Sequence, residues 1–365
     1  MKRISAMLLA MVVWSMALCA DDTIEVVNIE NPAVRAYMAD DTYANTSSYG
    51  VSVVSTYANS GIYGENLDRP SGKVVKWTPT TDADNISEIV VTTGDYPEFT
   101  NVMTFYPAPT DTVYEIMNMI PGKEYHYKVE EVLHSGKVTV VAKGKFRTIG
   151  QVRMIWVENV RNIRDIGGWP TQYGVPVKYG RLYRSASLDA IKAVGRHDFA
   201  TNLNVGAELD LRSESRLKKS KLGDDKDLMV LAHQAGTKGL KGKNYVYPRD
   251  LAWIVARMRE GKNVNWHCAI GCDRCGTLSF LIEGLLGVNE IDLGRDYELS
   301  SFKNHKRPRG HVSGWIKYIK TFGGEGDNLA QCFYNYWLSI GASREDMNYL
   351  ITEMLGPDVL RNQNN

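Results

Sequence analysis

Cysteine is scarce and unevenly spread in this chain: five residues in 365, at positions 19, 268, 272, 275 and 332. No dispersed, even-numbered set exists, which argues against a disulfide-stapled scaffold. Charge of either sign is not in excess: 43 Lys and Arg stand against 42 Asp and Glu, a net of +1. Nothing therefore pulls the whole molecule toward nucleic acid or an anionic membrane, and any anion recognition must be local. Beyond the first twenty residues no apolar run is long enough to span a bilayer, and there is no internal repeat or low-complexity tract.

What is present is an ordinary globular composition, 44% apolar and 23% charged, in a chain long enough for two domains. The opening "MKRISAMLLAMVVWSMALCADD" has a short basic region, an apolar run from Ala6 to Ala20 and acids just after. It reads as a secretory signal peptide over 1–20, which implies an exported protein, periplasmic or secreted. A lipid anchor on Cys19 is the alternative, disfavoured because Leu18 stands where a small residue is usual. Residues 21–150 read as β throughout, in short runs such as "EIVVTTG", "NVMTFYPA" and "KVTVVAKGKFRT" with no amphipathic helix between them. An all-β sandwich is expected. From 151 to 365 strands alternate with helical patterns, the grammar of an α/β domain with a central sheet flanked by helices. There "RDLAWIVARMREG" places Leu251, Ile254, Val255 and Met258 on one helix face.

Three of the five cysteines fall within "NWHCAIGCDRCGTLSF", residues 265–280. Taken alone, the spacing C-x3-C-x2-C resembles the iron–sulfur motif of radical SAM enzymes. An exported chain is a poor home for an oxygen-labile cluster, and too few residues follow Cys275 for the barrel that chemistry needs. Zinc on the same cysteines would need a fourth ligand such as His267, with little room at a helix start for a closed tetrahedron. Taken with its neighbours, the run is His-Cys-x5-Arg between a buried strand and a helix. Such a loop offers unpaired N–H groups and a positive dipole end to an anion. Gly271 lets the backbone turn tightly, and Arg274 can fork two phosphate oxygens. The same field lowers the pKa of Cys268 from its free value of about 8.5, leaving a thiolate placed to attack phosphorus. A phosphocysteine then forms and water hydrolyses it, with no metal or other cofactor required.

Four ordered motifs extend this reading: "NIRDIGG" from Asn162, "GRLYRSA" from Gly180, "LDLRS" from Leu209, and the loop itself. They resemble the bacterial cysteine-dependent protein tyrosine phosphatases, whose members read Asn-Phe-Arg-Asp-Leu-Gly-Gly, Gly-x-Leu-Tyr-Arg-Ser, Asp-Leu-Arg and His-Cys-x-x-Gly-x-Asp-Arg-Thr-Gly. The resemblance spans about residues 156–356. In the first domain, "MIPGKEYHYKVEEV" followed by "GKVTVVAKGKFRTIG" resembles the later strands of fibronectin type III domains, with Pro121, Gly122 and Tyr125 in the places of the conserved turn and tyrosine.

Two departures from the phosphatase pattern stand out. Cys272 occupies a position where a lysine goes with phosphoinositide activity. Cys275 replaces the Thr or Ser whose hydroxyl bonds the nucleophile, which implies slower turnover or a redox-sensitive loop in which Cys272 or Cys275 forms a disulfide with Cys268. The resemblance makes Cys268 the nucleophile, Arg274 the phosphate ligand, and Asp273 or Asp210 the proton donor, with Asp224, Asp225 and Asp227 as a mobile-loop alternative. Ala269, Ile270, Gly271, Cys272, Cys275 and Arg212 are expected to contact or shape the phosphate, and His267, Asp165 and Arg164 to brace the loop. "KNHKRPRGH", residues 303–311, is a basic loop that could meet further phosphates. The expected partner is a phosphorylated protein or a small phosphate ester, with phosphotyrosine leading. The alternatives are an inositol phosphate or phosphoinositide, and a phosphate-binding pseudophosphatase.

Overall fold

In the computed structural model, residues 24–40, 53–58, 61–62, 65–96, 98–215, 217–242, 244–303 and 307–363 are described. The expected leader, with Cys19, lies outside them. No helix among them is long and apolar enough to cross a membrane.

The N-terminal half runs β1 (Glu25–Asn28), α1 (Pro32–Ala39), α2 (Val54–Ala58), β2 (Lys73–Lys76), β3 (Ile86–Asp95), β4 (Thr100–Phe105), β5 (Val113–Ile116), β6 (Glu124–Leu133) and β7 (Val138–Ile149). Five strands form one sheet in the order β1-β7-β6-β3-β4, antiparallel except where β1 joins β7 in parallel. The antiparallel pair β2–β5 contributes Val75 and Ile116 to a core with Ile89, Val91, Tyr125, Val129 and Phe146. The expectation of strands alone from 21 to 150 is corrected here. Asn31 accepts a hydrogen bond from the Ala33 amide and Pro32 takes the first helical position, a local start signal that opens α1. The apolar face of these helices is not buried in the β core. Ala33, Val34, Tyr37 and Val54 join the core of the C-terminal half.

That half continues β8 (Met154–Val157), β9 (Val160–Asp165), β10 (Leu182–Ser185), α3 (Ala193–Arg196) with a π-helical turn over His197–Asn202, β11 (Val205–Asp210), β12 (Asp227–Val230), α4 (Gly236–Lys241), α5 (Tyr247–Arg259), β13 (Asn263–His267), α6 (Asp273–Leu285), α7 (Glu290–Leu299), α8 (Gly310–Ile319), α9 (Leu329–Ser339), α10 (Arg344–Leu355) and α11 (Asp358–Gln363). Its sheet has the order β12-β11-β13-β10-β9-β8. The first four strands in that order are parallel, while β9 and β8 are antiparallel to their neighbours. Strands β10, β11 and β13 are buried at every residue, as parallel strands covered on both faces must be. The helices cover one face through Leu251, Ile254, Val255 and Met258 of α5 and the apolar side of α6. Ile155, Val157, Tyr183, Phe199 and Leu203 cover the other. The loop after β13 therefore lies at the carboxyl end of the parallel strands, where α/β sheets place their ligands.

The two halves are clasped at the π-helical turn. The carbonyl of Thr104 on β4 accepts from Asn202 Nδ2 at 2.9 Å and lies 2.9 Å from His197 Nε2, and its amide donates to Asn202 Oδ1 at 2.9 Å. Within that turn burial raises the carboxyl of Asp198 to about 6, against a favourable pull from His197. A carboxyl with a raised folded pKa binds its proton more tightly folded than unfolded. Stability is then highest in the acid, falls as pH rises from about 4 to about 6, and carries the full penalty above that. Asp198→Asn keeps an oxygen for Asn202 Nδ2, which bonds the present carboxylate at 3.2 Å, and removes the charge. Melting curves are expected to show the variant more stable at pH 7.5 by roughly 2 °C, discounting for partial exposure, and the gap closing by pH 4. A variant less stable at both pH values would contradict this account.

Candidate active site

The strand β13 delivers His267 and Cys268 into a loop that ends at Cys272, where α6 begins. Gly271 adopts φ +75, and a Cβ there would sit 2.7 Å from the Ala186 amide nitrogen and the Ser185 carbonyl carbon, so only glycine fits. The carbonyls of the loop are tied from outside. Ala269 accepts from the Ser187 amide at 3.3 Å, Ile270 from Asn162 Nδ2 at 3.0 Å, and Gly271 and Cys272 both from Arg184 Nη2 at 3.0 Å. Holding successive carbonyls outward leaves the amides to turn inward, and those of Ile270 and Cys275 reach the Cys268 sulfur.

Cys268 is 2% exposed, and its thiol is held well below the usual range. The largest cause is a hydrogen bond from the Cys275 side chain, followed among favourable effects by the Cys275 amide and the Arg274 charge, which together overcome burial. Cys275 is pushed the other way, first by burial and then by its bond to Cys268. It stays a thiol, and its one proton has competing acceptors in the Ser185 carbonyl at 3.6 Å and the Trp266 carbonyl at 3.9 Å. Among the described residues Arg274 makes only long contacts, 3.5 Å to the Leu211 carbonyl and 3.4 Å to Glu214 Oε2.

The two expected proton donors are both clamped by arginine. Asp273 is held by Arg307 through two bonds, 2.6 and 2.8 Å, and by the Tyr297 hydroxyl at 2.8 Å. Burial would raise its carboxyl, but these bonds bring it below the ordinary value. Asp210 accepts from the Arg212 amide at 3.0 Å and from its side chain at 2.9 Å, and likewise stays depressed against burial. Arg212 forks between Asp210 and Asp189. Asp224, Asp225 and Asp227 pair with Lys219, Lys226 and Lys262, and Asp227 starts β12, at the end of the sheet away from the loop.

His267 is fully buried, with Nε2 at 2.8 Å from Glu208 Oε1 and Nδ1 at 3.8 Å from Asp210 Oδ1. Arg164 bonds Asp296 and Asn162 behind the loop. Asp165 is directed elsewhere: it holds Arg153 and the amides of Gly167 and Gly180, at the connection into β10 rather than at the loop. Cys272 has no exposed side chain; its sulfur packs 3.5 Å from Asn162 Nδ2, and burial pushes its thiol up to about 11. It lies behind the loop and not at its mouth. In the basic run, Lys303 pairs with Asp68, Arg307 with Asp273 and Arg309 with Glu298; residues 304–306 lie outside the described ones.

Sequence reasoning missed the residues that hold the loop from behind: Arg184, Asp296, Asn162, Glu208 and Arg307. Arg184, Asn162 and Arg307 lay inside quoted stretches, Arg307 in the basic run expected to meet phosphates, but a buried brace and a surface ligand look alike in sequence. Comparison with known proteins gives residues 155–322 as a match to the tyrosine phosphatase family, and no curated protein matches. Among solved structures, the core catalytic domain of the PP-IP phosphatase SIW14 from S. cerevisiae is similar at 15% identity, covering 46% of this chain and 93% of that one, with a TM-score of 0.30. P. aeruginosa TpbA is similar at 16% identity, covering 43% and 89%, with a TM-score of 0.31. Tk-PTP in its active form is similar at 15% identity, covering 48% and 94%, with a TM-score of 0.22. The last three likenesses are too loose to bear on the site. The family match places a phosphatase hydrolase domain in the C-terminal half, and that half has the corresponding α/β fold.

The bond from Cys275 makes a direct prediction. Alkylation of Cys268 by iodoacetamide, followed by peptide mass spectrometry against pH, is expected to proceed well below the range of an ordinary thiol of pKa about 8.5. Cys275→Ala moves the profile up, because the thiolate loses its donor, whereas Cys275→Ser leaves it low. An unmoved profile in Cys275→Ala refutes the role given to that thiol.

Proposed function

We propose that this protein is a cysteine-dependent phosphomonoester hydrolase acting on phosphotyrosine through a phosphocysteine intermediate. The observation that carries the reading is the loop geometry: Cys268 leaves β13 at the start of α6, in a loop whose carbonyls are tied outward by Ser187, Asn162 and Arg184, with loosely engaged Arg274 beside it. An incoming phosphate would take Arg274 from its long contacts and receive its fork. The Cys268 sulfur attacks phosphorus as the bond to the leaving oxygen breaks. Water then attacks the phosphocysteine and returns the thiolate, with the amides and Arg274 stabilising the equatorial oxygens in both steps.

The clamps on Asp210 and Asp273 bear on the substrate. Carboxylates so held position the loop, but stay ionised and so carry no proton to donate, and a leaving group that departs as a stable anion needs least help. A phenol, with a pKa of about 10, is a far better such group than an alcohol. This favours an aryl ester over phosphoserine and over an inositol ring phosphate. The basic run gives the inositol reading no added support, since Lys303, Arg307 and Arg309 are engaged with Asp68, Asp273 and Glu298. A pseudophosphatase is disfavoured because Cys268, the turning Gly271 and Arg274 are all in place around the loop. The leader-like N-terminus supports export, and the strands β2 to β7 support a fibronectin type III-like arrangement in front of the catalytic half.

Phosphate release from phosphotyrosine peptides, phosphoserine peptides and inositol polyphosphates tests this reading. Phosphotyrosine is expected to turn over at least about 100-fold faster than phosphoserine, and Cys268→Ser to abolish the reaction. No release from any substrate removes the enzyme reading, and activity surviving Cys268→Ser removes the mechanism.

A further inference from the structure

The segment between α2 and β2 carries Asp68, well outside the 155–322 stretch that matches the family. It is 4% exposed. A turn closed by the Arg69 amide on the Asn66 carbonyl at 2.8 Å presents it, with Asn66 at φ +54. Leu67 anchors the turn in the C-terminal core, and Arg69 is fixed on both sides: its side chain bonds Glu115 at 2.7 Å and its carbonyl accepts from Asn31 Nδ2 at 3.1 Å. The carboxylate has little freedom to wander.

Its two oxygens grip two residues, one of which, Asn162, touches the phosphate loop. Oδ2 accepts from the Asn162 amide at 3.4 Å, and Oδ1 from Lys303 Nζ at 2.9 Å. Asn162 is held at φ +51, a left-handed conformation that costs a non-glycine residue on the order of 1 kcal/mol and needs its surroundings to maintain it. From that conformation its side chain reaches the Ile270 carbonyl and the Cys272 sulfur, and accepts from Arg164. Lys303 ends the turn that follows α7, four residues before the Arg307 that clamps Asp273.

Resting on the phosphatase reading of the loop, we propose that Asp68 is a positioning residue of the phosphate site: it reaches in from the N-terminal half and pins Asn162 and Lys303 so that the Ile270 carbonyl stays outward. Removing its charge leaves a buried amide with a weaker acceptor and a largely buried ammonium without its counter-ion. Asn162 then relaxes, Ile270 is released, and the amides around Cys268 lose alignment. The N-terminal half is on this account part of the catalytic unit and not a detachable module.

The test uses the full chain with Asp68→Asn, which keeps the side chain's shape, and Asp68→Glu, which keeps its charge. On p-nitrophenyl phosphate, kcat for Asp68→Asn is expected to fall about tenfold or more with KM little changed. Vanadate binding weakens in parallel and the Cys268 alkylation profile moves to higher pH, while Asp68→Glu recovers part of each. Lys303→Met, which cuts the other arm, shifts the same readouts less and serves if Asp68→Asn folds poorly. The alkylation profile needs no substrate, so it reports on the brace even if the loop turns over no ester. A variant with a lower melting temperature but unchanged kcat, vanadate affinity and alkylation profile overturns the proposal.

Discussion

One carboxylate shared by two arginines underlies the catalytic half. Asp296 on α7 takes Arg164 from β9 at 2.7 Å and Arg184 from β10 at 2.5 Å, all three fully or nearly fully buried. Such an arrangement is a weak source of stability, because removing three charges from water offsets most of their attraction. Its value here is geometric. Arg184 spends its other nitrogen on the Gly271 and Cys272 carbonyls, so the position of the phosphate loop is transmitted from the sheet through a planar, inflexible group. The triad also carries one net positive charge directly behind the loop. Glu283 does not cancel it: burial pushes its carboxyl well up, and neither of its oxygens has a hydrogen-bond partner among the described residues. A site for an anion backed by an uncompensated cation in a dry interior gains more than the same charge would give at the surface.

The same constraint explains why the helices α1 and α2 do not pack on the N-terminal β core. Helix α1 is eight residues long and α2 five, too short to be stable alone. They persist because Tyr37 and Val54 are buried in the C-terminal core and because Glu298 accepts from the Tyr37 hydroxyl and the Val53 amide. Asp296, Tyr297 and Glu298 are consecutive on α7, so a single helix anchors the arginine triad, Asp273 through Tyr297, and the N-terminal segment through Glu298.

The sequence made the loop legible because its chemistry is local. A nucleophile, a glycine that must turn and an arginine six residues on are fixed by the phosphate they would meet, and the α5 face was readable from its period alone. Where pattern reading failed, the deciding partner was distant in sequence. Short helices within a β-rich stretch lacked the length for periodicity to outweigh their surroundings, although Asn31-Pro32 was a usable start signal. Asp165 and Arg164 are adjacent in one motif yet serve different faces of the sheet, because neighbouring residues in a strand point to opposite sides. Cys272 looked like a substrate-tuning position. Its side chain turns back toward Asn162, whose left-handed backbone no sequence rule would have placed.

The two cysteines that differ most in fate sit against each other. Cys268 meets the amides of Ile270 and Cys275 and the Arg274 charge, all of which favour a thiolate. The Cys275 sulfur lies 3.6 Å from the Ser185 carbonyl and 3.9 Å from that of Trp266, acceptors that favour a proton. Two thiols in contact cannot both ionise cheaply, so they divide one proton as a pair of carboxylates does, and their surroundings decide which keeps it. A hydroxyl at position 275 would donate whatever its neighbour did, because it never titrates near neutrality. A thiol donates only while Cys268 is the more acidic of the two. Its single proton is also contested by the carbonyls of Ser185 and Trp266, so the support that Cys275 gives the nucleophile depends on how that proton is shared between the acceptors behind it and the sulfur in front.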